Sequence, residues 1–360
     1  MKVGLIYDKI YEMHDTGPHV ERIERVSETM KRLTNDGIAN GSSDSFIIVK
    51  PREATLEQIK WCHSQSFIDK VSAAVKRAET TKGYTSIDAD TTVCAQSMLA
   101  SLYAVGGNFK AIDSIMSGEI NNGFVLCRPP GHHSNRDHAR GFCLFNNVAL
   151  AAEYLLREKG IERVAIFDWD AHCGNGTQEI FWAGPSKGEL MVFSLHEDPH
   201  YLYPGYGFVD EKGHGKQEGK IMNIPIAPYS SDASISKVMG EIVSSVLEKF
   251  KPQFILVSAG FDGHNSDPIT QLGFTFETYV IMTRSLMDIA KKYSNNRVLI
   301  TLEGGYNLEA ISKSISNVFC TLAEKEPLYK EKADEEDPKI VQKNLKMIEE
   351  IKREFKEFWF

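Results

Sequence analysis

No pair of cysteines in this 360-residue chain has CxxC spacing; the six, Cys62, Cys94, Cys127, Cys143, Cys173 and Cys320, are scattered. A four-thiolate zinc site and a disulfide framework are therefore not expected, and the setting expected is reducing and cytoplasmic. No apolar run approaches the roughly 18 residues of a membrane span. The short run at residues 3–7 soon meets charge, without a signal-peptide core. Positive charge is not in excess either. The net charge of −8 offers no basic face for nucleic acid. It leaves room for a cationic substrate such as a polyamine or a lysine-rich peptide. No internal repeat and no Pro/Gly/Ser linker divides the chain.

What is present is a core-forming composition, 42% hydrophobic against 25% charged, which allows a large buried core and excludes disorder. Short apolar runs at 3–7, 46–49, 124–127, 164–168, 191–195, 222–226, 254–258 and 298–302 read as strands buried on both faces. Longer amphipathic stretches at 149–159, 235–250 and 276–293 read as helices between them. The alternation predicts an α/β fold: a single domain with a parallel, about eight-stranded sheet and helices on both faces. The catalytic domain is expected over 1–323. A charged segment and an amphipathic helix follow over 324–360, with Val341, Leu345, Ile348, Ile351, Phe355 and Phe358 on one face. That helix is expected to pack on the domain or to make a homo-oligomer contact.

The residues rich in chemistry fall just after the strands. Arg128-Pro-Pro-Gly-His-His follows the third, Asp170 and His172 the fourth, His196 the fifth, Asp262 the seventh and Gly304-Gly305-Tyr306 the eighth. Open α/β sheets bind ligands at the carboxyl ends of their strands, so the loops converge on one rim. Asp168, Asp170 and His172 are two apart and share a face if the chain stays extended. With Asp262 they offer carboxylates and an imidazole for an open metal site; loop-capping aspartates are the plain alternative. His132 and His133 can supply a proton acceptor and a donor near neutral pH. Tyr306, presented by two glycines, can donate to a developing oxyanion or serve only to pack.

Together RPPGHHS (128–134), GFCLFNN (141–147), DWDAHCGNGTQ (168–178), SLHED (194–198), YPGYG (203–207), AGFDGHNSDP (259–268) and EGGYN (303–307) resemble the histone deacetylase and acetylpolyamine amidohydrolase superfamily, on its class II side. The resemblance covers about residues 1–320 and implies the arginase–deacetylase fold. It implies Asp170, His172 and Asp262 as ligands of one catalytic zinc per chain, with iron(II) also compatible with such a donor set. It implies His133 as general base and then acid, His132 as its electrostatic partner oriented by Asp168, Asn175 beside His133, and Tyr306 on the oxyanion. Phe142 and Tyr203 would wall a narrow channel, with Gly141, Ile269, Gly304 and Gly305 around it. A structural potassium ion would lie against Asp168, Asp170, His172, Ser194 and Leu195. Asp88 or Asp90 would match a rim carboxylate.

Three positions depart from the family pattern or distinguish its branches. Cys173 stands where a second histidine is common, and Asn175 where some branches place an aspartate. Ile269 occupies the place where polyamine-specific members can put an acid. The implied activity is removal of acetyl or another short acyl group from acyl-lysine, or alternatively from an acetylpolyamine or other small amide. A two-manganese ureohydrolase is disfavoured, because Gly174 and His264 stand where it would need carboxylates. A non-catalytic acyl-lysine reader is disfavoured by the retained Tyr306, histidine pair and ligand set.

Overall fold

The computed structural model describes residues 1–41, 43–331 and 335–360. Its strands, in chain order, are β1 (Val3–Ile6), β2 (Phe46–Val49), β3 (Thr85–Ser86), β4 (Thr92–Val93), β5 (Asn122–Val125), β6 (Arg163–Asp168), β7 (Glu189–Glu197), β8 (Ile221–Ile226), β9 (Phe254–Ala259) and β10 (Val298–Leu302). Eight of them form one sheet in the order β2-β1-β5-β10-β9-β6-β7-β8, and every neighbouring pair is parallel. All the carboxyl ends therefore open on one side. β3 and β4 form a separate antiparallel ribbon that the sequence pattern did not predict.

Strand residues alternate between two cores. On β9, Phe254 and Leu256 enter the core shared with helices Gln65–Thr81, Ser97–Met116 and Asn147–Glu158. Ile255, Val257 and Ala259 enter the opposite core, with helices Glu24–Asn35, Phe276–Tyr293 and Leu308–Leu322. Both faces are covered, which is why these strands read as continuous apolar runs. The expected helix at 235–250 begins earlier, as Asp232–Val238, and continues through a wider turn at Met239–Ser244 into Ser245–Phe250. β5 lies two residues before its expected position.

The C-terminal helix Pro338–Glu354 starts with Asp337 accepting from the Lys339 N–H at 2.8 Å and proline in its first turn. It lies against β8 and the helix Asp232–Val238. The Asn344 side chain accepts from Ala227 N at 3.0 Å and donates to the hydroxyls of Ser230 and Ser234 at 2.6 and 2.8 Å. Its buried side is centred on Asn344, Met347, Ile348, Ile351 and Phe355, whereas Phe358 is 38% exposed. Residues 332–334 of the charged segment lie outside the described residues. No helix among the described residues is long and apolar enough to cross a membrane.

Candidate active site

The carboxyl-end loops surround one cavity of about 280 Å³, lined by Pro130, His132, His133, Gly141, Phe142, Asp170, His172, Leu202, Tyr203, Ile269, Gly304 and Tyr306, with Asp90 among them. Asp88 is not in the lining. Asp90 also accepts the Gly141 N–H at 3.1 Å.

β6 ends at Asp168, and the chain turns rather than staying extended through His172, as the simple two-residue alternation had assumed. Local hydrogen bonds drive the turn: Asp168 Oδ1 accepts from Asp170 N at 3.0 Å, and Asp170 Oδ1 from His172 N at 2.9 Å. Trp169 and Ala171 enter the core. The His172 Nδ1 then lies 3.0 Å from both Asp170 Oδ1 and Asp262 Oδ2. Outer N–H groups hold the carboxylates: Gly304 N donates to Asp170 Oδ2 at 2.8 Å, and Ala171 N to Asp262 Oδ1 at 3.0 Å. A Cβ on Gly304 would stand 2.5 Å from both Asp170 Oδ2 and Asp262 Oδ2, so only glycine fits there.

The histidine pair comes from the loop after β5. The His132 Nδ1 meets Asp168 Oδ2 at 3.0 Å, and the His133 Nδ1 meets Asn175 Oδ1 at 2.8 Å. An amide oxygen can only accept, so Nδ1 of His133 carries the proton and Nε2 keeps its lone pair. Phe142, in the left-handed region at φ 67°, presents its ring 5.9 Å from that of Tyr306. Tyr203, 44% exposed, lies edge-on to His133 at 5.2 Å. Gly305 adopts φ 110° and carries the chain into Tyr306. Asn307 caps the next helix, accepting from Glu309 N and Ala310 N at 3.1 Å. Ser194 is the register partner of Asp168 on neighbouring β7, and Leu195 follows it. The Ser194 hydroxyl pairs with the His196 Nδ1 at 2.9 Å.

The histone deacetylase domain family matches residues 19–322. A protein of Archaeoglobus fulgidus named "Probable deacetylase" is 38% identical over 310 residues, covering 86% of this chain and 82% of its own. The "Histone deacetylase-like amidohydrolase" of Pseudomonas aeruginosa is 28% identical over 94% of this chain and 88% of its own. The crystal structure of the HDA15 HD domain superposes with a TM-score of 0.87 and 31% identity, covering all of this chain (100%) and 96% of that one.

The chain belongs to the histone deacetylase family.

It is a hydrolase of the deacetylase class, and metal dependence is general in that family. The cluster of Asp170, His172 and Asp262, with donor atoms within 4.8 Å of one another, fits such an ion. Burial opposes a charge on His172, but the two carboxylates raise its pKa to about 10, so the cluster favours positive charge. The adjacent histidines are driven apart. Burial opposes protonation of both, but Asp170 and Asp168 hold His132 well above the ordinary range. For His133, burial is reinforced by His132 and His172, and its pKa falls well below the usual imidazole value. His133 thus favours its neutral form at the cavity of this deacetylase.

Several buried groups of this family member were not singled out in the sequence. Glu21 binds both Arg25 and Arg128. Asp267 accepts from Tyr306 N at 2.7 Å. Glu303 accepts from the Gly131 and His132 N–H groups, and its donor atoms, with those of His132 and Cys143, form a second close cluster. Asp267 and Glu303 fell within quoted motifs, AGFDGHNSDP (259–268) and EGGYN (303–307), whereas Glu21 fell in none.

Proposed function

We propose that this deacetylase removes acetyl, or another short acyl group, from the side-chain nitrogen of acyl-lysine, with a zinc ion held by Asp170, His172 and Asp262. The observation that carries this reading is the neutral His133 beside a cation-favouring triad, inside a narrow cavity walled by Phe142 and Tyr203. Aromatic walls suit the methylenes of a lysine arm. A divalent ion bound there would supply Lewis-acid polarisation of the amide and a more acidic water; iron(II) would serve in the same donor set.

His133 accepts the proton of the attacking water and returns it to the leaving amine, with Asn175 fixing its tautomer. Tyr306 donates its hydroxyl hydrogen bond to the oxyanion. His132, held by Asp168, keeps positive charge beside that oxygen. Potassium against Asp168, Asp170, His172, Ser194 and Leu195 belongs to the same reading. So does a reducing, cytoplasmic setting, in keeping with six unpaired cysteines.

A second substrate reading, an acylated polyamine, is favoured by one observation: the Asp90 carboxylate lines the cavity. Against it, Ile269 lines the same cavity and offers an ammonium group nothing. Comparing kcat/KM of the metal-replete protein on acetyl-lysine peptides and on acetylated polyamines tests the choice. Preference for the peptides is expected, and preference for the polyamines would replace this reading with the second.

A further inference from the structure

Two prolines precede the histidine pair, and neither has an N–H to anchor the loop. The first N–H groups after them, on Gly131 and His132, point inward, where neither solvent nor a strand edge receives them. A single oxygen takes both: Glu303 Oε2 accepts from Gly131 N at 2.6 Å and from His132 N at 3.1 Å. The other carboxylate oxygen, Oε1, accepts from the Ser258 hydroxyl at 3.3 Å. Glu303 is wholly buried. Its own backbone is equally committed, its N–H donating to Ala259 O at 2.9 Å and its carbonyl accepting from the Arg25 guanidinium.

The next residue, Gly304, donates to Asp170, and Tyr306 follows two positions later. One side chain therefore ties the loop carrying His132 and His133 to the turn that holds Asp170 and presents Tyr306. A buried N–H left without an acceptor is costly, so losing this acceptor forces the loop to seek another arrangement. Groups that exchange protons with a reacting centre tolerate little displacement, and about 1 Å of misplacement can cost about a hundredfold in rate.

From this geometry we propose that Glu303 is a positioning residue for the His132–His133 pair, a role that rests on the deacylase reading above. Its reach supplies the two contacts, and its negative charge also favours protonation of His132. The two properties can be separated. Glutamine keeps the length, and its amide oxygen has two lone pairs for the two N–H groups. Aspartate keeps the charge but is one methylene short of them.

The test compares E303Q with E303D in the metal-replete full chain, on an acetyl-lysine peptide. E303D should lose about a hundredfold in kcat with KM nearly unchanged. E303Q should stay within about fivefold of wild type. Both should bind one metal ion per chain. The imidazole NMR signals of His133 should move in E303D and stay in place in E303Q, a readout independent of turnover. E303S serves as the short variant if E303D does not fold. Wild-type kcat in the short variant, or an E303Q as impaired as the short variant, overturns the proposal. A wild type inactive on every acyl amide would instead sink the deacylase reading, and the imidazole signals would still judge Glu303.

Discussion

Two clusters of buried charge lie at the carboxyl end of the sheet, and they solve the same problem in opposite ways. In the first, the Glu21 carboxylate is gripped by Arg128 at 2.5 and 2.8 Å and by Arg25 at 3.0 Å. The remaining guanidinium donors find carbonyls, Arg128 on His14 O at 2.8 Å and Arg25 on Gly305 O at 2.6 Å. That cluster is sealed and satisfied from within. In the second, Asp170 and Asp262 share one imidazole, and Asp170 and that His172 line a cavity. Burial alone therefore does not mark function, because both clusters are buried. Both also carry a surplus of one sign, so the mark is the opening beside the carboxylate pair.

The contrast fails if the open cluster does not bind a cation. Asp262→Asn should reduce both metal content and activity, the latter by at least about a thousandfold, roughly 4 kcal/mol of transition-state stabilisation. A strong chelator should abolish activity, and zinc should restore it. Metal analysis beside a rate measurement checks both, and full turnover in verified metal-free protein would end the reading.

The sealed cluster should answer in stability instead. Removing one partner of a buried ion pair costs about 3–5 kcal/mol, so Glu21→Gln should lower denaturant resistance by about 3 kcal/mol while metal per folded chain stays at one. The pH dependence has a definite sign. Burial resists ionisation of Glu21, but Arg128 and Arg25 hold its pKa well below the usual carboxylate range. A depressed carboxylate stabilises the fold above its unfolded pKa, about 4.3, and loses that contribution as pH falls toward its folded value. The stability gap between wild type and Glu21→Gln should be full at neutral pH, begin to narrow as pH falls through about 4.3, and keep narrowing into strong acid. A gap independent of acid would refute this account.

Next come the groups proposed to handle protons. His133→Ala should lose about a hundredfold in kcat, and Tyr306→Phe a similar factor, each keeping its metal. Loss of metal in either would merge the two functions that the open cluster and the histidine pair keep separate. The smallest effect belongs to the rim. Ile269→Glu should raise the polyamine-to-peptide ratio of kcat/KM about tenfold, near 1.4 kcal/mol. An unchanged ratio would move control of the substrate away from Ile269.

The sheet was legible because strands buried on both faces leave runs such as Phe-Ile-Leu-Val, and all eight sheet strands appear near their expected positions. The shift at β5 has a simple origin, since Asn122 and Gly123 pair in the ladder with no strand-like side chain to announce them. The two-residue strands Thr85–Ser86 and Thr92–Val93 are too short to show a period. At the site, Asp170, His172, the histidine pair and Tyr306 were nameable because their types are chemically unusual in a loop, whereas Phe142, Tyr203 and Ile269 came from the family resemblance. The carboxylates behind them were not nameable. Glu21 and Glu303 act on partners 107 and 172 positions away and Asp267 on one 39 positions away, separations that leave no local pattern; the one local partner is Arg25, four residues after Glu21.

The helix laid over β8 bears on how this protein would fail. β8 is the last strand of its sheet, and β2, at the far side, carries Ile48 in the open at 48% exposure. An uncovered strand edge is a template for another chain. A chain ending before Pro338 would bare the apolar surface now pressed by Met347, Ile348 and Ile351, at the opposite border from β2. Each molecule would then carry two sticky borders instead of one, and two are enough for growth into polymers. The tail's removal would show as precipitation and light scattering, with the loops around the cavity still intact in the molecules that stay in solution.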